Sequence, residues 1–233
     1  APVEVADLAH FEGNAQGFRI LTRLTYRRNG GMRPTLPSLG AMVKYPRGSL
    51  WHEATPTKPY KKFGFFQQDL PMARAVFDAF GPALDTPQPG WPRHPLAWLS
   101  ETADDICYMI IDLEDAVALG AVPDDEARVL LSRFVVDARP DADIGALRAQ
   151  AIHALTMAAL AAFCASQEAI EGNEQTTPLV AGTPLAGAYD DLKAFSFDRI
   201  YQHERVLEVE CAGHQAVEGL LGLFVPAILA PDG

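Results

Sequence analysis

The sequence predicts an all-α protein, and three observations carry that prediction. Apolar residues recur at three- and four-residue spacing in one segment after another, as in helices that bury one face. No stretch alternates apolar and polar residues in the manner of a half-buried strand. Pro and Gly concentrate between the periodic segments, where they punctuate helices. The 233 residues are 48% hydrophobic and 21% charged, enough for a sizeable core. With no internal repeat and no long linker, residues 1–233 are read as one helical domain.

The first helix is expected over residues 7–28, with Leu8, Phe11, Ala15, Phe18, Leu21 and Leu24 on one face. Its far end is basic (Arg19, Arg23, Arg27, Arg28), which suits the negative end of the helix dipole, and Asn29-Gly30-Gly31 stops it. Pro34, Pro37 and Pro46 leave room for one short helix, Ser38 to Lys44. Ser49 to Phe66 reads as a long loop with aromatic residues around Lys61 and Lys62. Such loops are often functional, and these lysines could hold a polyphosphate, although solvated lysines are commoner.

Further helices are expected over Asp69 to Phe80, Pro95 to Leu119, Asp124 to Val136, Asp143 to Ile170, Tyr189 to Phe195 and Arg199 to Phe224. Pro95 suits a first helical turn, and Gly120 suits the position just past the end. Gly172 to Ala188, rich in Gly, Pro and Thr, reads as a loop.

The segment from Glu101 to Asp115 organises the rest. Ile106, Met109, Ile110, Leu113 and Val117 form an apolar stripe, and Asp104, Tyr108 and Asp112 a second one at i, i+4, i+8. Each step along that second row is about 6 Å at the 1.5 Å rise per residue. A metal and a hydroxylated ligand would suit it, while a solvated face is the commoner meaning of such a stripe. The helix is apolar over much of its circumference, which predicts burial, and a buried carboxylate needs a partner or a metal.

Composition excludes several classes. A net charge of -11 and a pI near 4.9 argue against a general nucleic-acid surface. Cys107, Cys164 and Cys211 are far apart with no CxxC pair, which fits reduced thiols in the cytoplasm. No uninterrupted apolar run reaches the ~20 residues of a membrane span, and Ala1-Pro2-Val3-Glu4 has no signal-peptide character, so no membrane role is expected. The six histidines are scattered and none precedes Asp. There is no GxxxxGK[ST], GxGxxG, HExxH or GxSxG.

Four motifs occur in one order: His10 through Leu24, with Glu12-Gly13-Asn14-Ala15-Gln16 inside it; Lys44-Tyr45-Pro46; Lys61-Lys62-Phe63-Gly64-Phe65-Phe66; and Arg93-His94-Pro95-Leu96 running on to Ala116. Together they closely resemble the bacterial deoxyguanosinetriphosphate triphosphohydrolases, a branch of the HD phosphohydrolase superfamily. The segment from Ile200-Tyr201 to Gly213 resembles that family less sharply.

The resemblance implies an HD-domain-like helical bundle, incomplete at its N-terminus. It implies hydrolysis of a deoxynucleoside triphosphate, dGTP favoured, to the deoxynucleoside and intact tripolyphosphate. A divalent metal, Mg or Mn, would lower the pKa of a bound water for attack on the α-phosphorus. Asp104 would be one metal ligand. Tyr108 and Asp112 would meet the deoxyribose, Asp112 at its 3′-hydroxyl, while Asn14, Lys44, Tyr45 and Lys62, with Gln16 as a weaker candidate, would contact the triphosphate. A homo-oligomer is also implied. The family's first His, its His-Asp pair and its catalytic His and Glu precede the Glu12-Gly13-Asn14 segment. This chain is therefore expected to be a fragment, inactive alone, supplying the substrate pocket and one ligand. The alternatives are a non-catalytic nucleotide-binding or regulatory module and a helical scaffold.

Overall fold

Glu12 is extended (φ -137°, ψ 121°) and accepts the Asn14 N–H on its side chain, which starts α1, Gly13–Arg19. The structure, a computed structural model, describes residues 7–9, 11–25, 31–50, 62–137, 139 and 142–230. Residues 11 and 12 are non-helical, which corrects the continuous helix expected over 7–28. A capping Glu12 leaves helical geometry to satisfy the free N–H groups beyond it. Leu8 and Phe11, expected on the buried face, are exposed. Past Arg19 the chain widens into a π turn, Ile20–Leu24. Arg27, Arg28, Asn29 and residues 51–61 of the expected loop lie outside the described residues.

α2 is Leu36–Met42, capped by the Thr35 side chain with Pro37 in its first turn. It begins and ends two residues earlier than expected, because Val43 turns extended and lets Lys44-Tyr45-Pro46 leave the helix. A 3-10 turn, Gln67–Asp69, leads into α3, Leu70–Phe77. α4, Pro95–Ala118, matches its expectation to within a residue, and Gly120 behind it takes φ 72°. α5 is Asp124–Ser132, with three acidic residues in the first turn where the dipole favours them.

The helix expected over 143–170 is two: α6, Ile144–Ala165, and α7, Gln167–Glu171. Ser166 breaks it (φ -102°, ψ 11°), its N–H shared between the Ala162 and Phe163 carbonyls as at a helix end. α8, Ala186–Phe195, starts inside the expected loop and runs on as a π turn, Ser196–Ile200. α9 is Glu204–Leu229 and carries Pro226 internally. Among the described residues the fold is all-α, with two isolated bridges, Arg47 to Gly90 and Gly48 to Phe65.

The contacts divide the chain into two compact units: Ala1–Asp105 with Thr156–Pro184, and Ile106–Leu155 with Leu185–Gly233. α4 and α6 each supply residues to both.

In the first unit Phe18, Leu39, Val43, Phe65, Val76, Phe77 and Trp91 form one apolar cluster. Phe77 stacks on Trp91 at 5.6 Å. Asp69, 1% exposed, is held beside this core by Arg19 at 2.8 Å and Arg23 at 3.0 Å. A second cluster joins Trp98, Ile170 and Leu179. In the second unit Ile110, Leu113, Leu131, Leu147 and Leu192 are fully buried.

α6 and α9 are each long and apolar enough, by length and composition, to cross a membrane. The expectation drawn from apolar runs used a stricter test, because a helical window passes this one while holding an occasional charge. Core helices of soluble proteins pass it too.

Candidate functional site

In the first unit the segment that carries Lys44 and Tyr45 lies beside the segment that carries Lys62, while Lys44 and Tyr45 are not among the residues lining the cavity of Asn14 and Lys62. The Arg47 side chain donates to the Lys62 carbonyl, and the Gly64 N–H donates to the Arg47 carbonyl at 3.0 Å. The segment after Lys44 therefore runs beside the segment after Lys62. Gly64 is required for that closeness, since a Cβ there would stand 2.3 Å from the Tyr45 carbonyl oxygen.

Lys44 Nζ lies 2.5 Å from Asp104 Oδ2. Lys62 Nζ lies 3.8 Å from Glu12 Oε1, which also accepts the Asn14 side-chain amide at 2.6 Å. Glu12, Asn14 and Lys62 form the polar rim of a cavity of about 440 Å³ with Phe18, Leu39 and Val43 at its apolar wall. Gln16 is half-buried on α1 and is not among the lining residues. Tyr45 is buried; that burial, with the Glu101 carboxylate adding to it, pushes its hydroxyl up to about 12.

The expected burial of the acidic stripe on α4 is corrected. Ile106, Met109, Ile110, Leu113 and Ala116 are buried, but the Asp104 side chain is 69% exposed and Tyr108 is 56% exposed. The helix has one buried face; Asp104 and Tyr108 start from the other, and Asp112 is half-buried at its edge. Asp104 has an ammonium partner, and among the described residues no group of three His, Cys, Asp or Glu converges to hold a metal ion. That donor set does not fit a divalent metal: one carboxylate, already ion-paired, is too few ligands.

In the second unit Tyr201 donates its hydroxyl to Asp112 Oδ2 at 2.9 Å, and its ring lies 5.9 Å from that of Tyr108. These three line a cavity of about 240 Å³ with Asp115 and Glu210. Burial raises the Asp112 carboxyl above its usual range, against the downward pull of the Tyr201 hydrogen bond. Tyr201 itself is raised strongly, first by burial. Sequence reasoning missed Glu12 and Tyr201. Glu12 stood inside a quoted motif without a role, and Tyr201 in the stretch of weaker resemblance.

A protein of Pseudomonas aeruginosa (strain LESB58) named deoxyguanosinetriphosphate triphosphohydrolase-like is 37% identical over 246 aligned positions, covering 99% of this chain and 55% of that protein. A Synechocystis protein of the same name is 33% identical over 98% of the chain and 54% of its own length. The deoxyguanosinetriphosphate triphosphohydrolase of Serratia proteamaculans is 29% identical over 97% of the chain and 48% of its own length.

Nearly the whole chain is similar to proteins named for deoxyguanosinetriphosphate triphosphohydrolase. It spans about half the length of these curated relatives. No family model matches it. The match covers 99% of the chain, so the residues of the Lys44–Asp104 pair and of the Asp112–Tyr201 bond lie within the span similar to these proteins.

Proposed function

We propose that this chain supplies the substrate-binding part of a deoxynucleoside triphosphate triphosphohydrolase, with dGTP the favoured substrate. The observation that carries the reading is the match of nearly the whole chain to proteins of that name. Lys44 and Lys62 bring ammonium groups to the triphosphate oxygens, and Asn14 adds a neutral donor. The buried Tyr45 keeps its proton at neutral pH and so meets a phosphate as a hydroxyl donor. Asp112 accepts from the deoxyribose 3′-hydroxyl, and Tyr108 packs against the sugar.

In the free chain both lysines are neutralised by carboxylates, so substrate entry exchanges carboxylate oxygens for phosphate oxygens at each. Asp104 would be one ligand of the divalent metal that the resemblance implies, and no step is assigned to that metal in this chain. The homo-oligomer and cytoplasmic location expected of the family belong to this proposal as well.

The test is incubation of dGTP with the protein and Mn²⁺, with tripolyphosphate resolved from pyrophosphate and phosphate, beside calorimetric binding of dGTP. Tripolyphosphate as product supports the reading. Failure of dGTP to bind, or pyrophosphate as the product, overturns it. The already paired state of Asp104 favours a second reading, a non-catalytic nucleotide-binding module, for which dGTP binds and no product forms.

A further inference from the structure

Arg93 is the most deeply buried cation among the described residues, and no role has yet fallen to it. Its Nη1 donates to Glu101 Oε2 at 2.7 Å, a pair shielded from water on both sides. Its Nε and Nη2 make no hydrogen bond among the described residues. Buried donors left in that state are uncommon and ask for a reason. Here the guanidinium lies over the Trp98 ring at 4.4 Å and over the Tyr45 ring at 5.7 Å, so aromatic faces occupy the space where acceptors would stand. Tyr45 follows Lys44 directly, and Glu101 lies one helical turn before Asp104, the partner of Lys44.

We propose that Arg93 is a positioning residue for anion binding: tied to Glu101 and stacked on Tyr45 and Trp98, it clamps the Lys44-Tyr45 segment to the first turns of α4. The clamp sets the direction in which Lys44 leaves the backbone. A stack of this kind needs a planar cation, which lysine does not provide. The inference rests on the reading of Lys44 and Lys62 as phosphate-binding groups.

The test is calorimetric binding of inorganic tripolyphosphate to the whole chain, below the melting temperature of every variant. Arg93→Lys keeps the charge opposite Glu101 and loses the stack. It is expected to weaken binding on the order of tenfold, as misplacement of a binding group does. In a Lys44→Ala background the same change is expected to cost almost nothing, because the group it aims is gone. A purely structural Arg93 would cost the same in both backgrounds, and that result overturns the proposal. So does a folded Arg93→Lys protein with parental affinity. If Arg93→Lys does not fold, Trp98→Phe replaces it in the same cycle, with a smaller loss that Lys44→Ala again abolishes; full affinity in folded Trp98→Phe overturns the proposal. Binding that Lys62→Ala weakens but Arg93→Lys leaves intact removes this inference alone. Absence of binding to the parent chain removes the functional reading and the inference with it.

Discussion

Lys44 Nζ and Asp104 Oδ2 stand 2.5 Å apart, sixty residues distant in sequence, and join the segment after α2 to the exposed face of α4. The carboxylate competes with any phosphate for the same ammonium. Asp104→Asn is therefore expected to tighten tripolyphosphate binding in metal-free buffer, and Lys44→Ala to weaken it by about tenfold, the scale of one charge-assisted hydrogen bond. Because the Asp104 side chain is mostly exposed, Asp104→Asn should move stability by less than about 0.5 kcal/mol. Calorimetry and urea unfolding on the same samples check both statements, and weaker binding by Asp104→Asn would contradict the competition.

Asp112 gives a prediction about pH. Its folded carboxyl binds a proton more tightly than in the unfolded chain, first because it is buried. The folded state therefore holds more protons between the ordinary carboxylate value and the raised one. Stability from this group is full below that window and is lost as pH rises through the folded value. Asp112→Asn should flatten that part of the stability profile. Tyr201→Phe removes a bond to the ionised form and should raise the Asp112 titration further, which carboxyl-carbon NMR would read directly.

The residues proposed for the sugar and for the phosphates should give separable effects. Asp112→Asn is expected to weaken dGTP on the order of tenfold through loss of a charged acceptor, while leaving tripolyphosphate affinity unchanged. Lys62→Ala should weaken both ligands. Equal losses for both ligands in Asp112→Asn would remove the sugar assignment.

Asp69 tests the first unit's architecture. It is buried between Arg19 and Arg23, and removing it strands cationic charge beside the apolar cluster. Asp69→Ala is expected to cost about 3 kcal/mol in urea unfolding, the lower end for a broken buried pair, since the half-exposed Arg23 can turn to water.

Gly64→Ala sets backbone against backbone. The new Cβ would meet the Tyr45 carbonyl oxygen at 2.3 Å, so one of the two segments must move. A loss of roughly 1–3 kcal/mol is expected, as for overpacking, together with weaker tripolyphosphate binding. Thermal melts and calorimetry would show the two effects in one sample.

The sequence by itself determined the helical class, the course of α4 from Pro95 to its end before Gly120, and the resemblance to the triphosphohydrolases, because apolar period, Pro and Gly punctuation and motif order are local and leave their mark in the letters. It placed Gly64 in a motif without showing why a glycine stands there. Helix ends at Glu12 and Ser166 escaped it, since capping and shared hydrogen bonds compete with periodicity by small energies. Tertiary structure alone decided that Asp104 faces solvent and meets Lys44, that Glu12 joins Asn14 to Lys62, and that Tyr201 reaches Asp112 across 89 residues of chain. Each pairing depends on which faces two separate segments turn toward each other. Spacing along one helix fixes which residues share a face, and only packing fixes whether that face is buried.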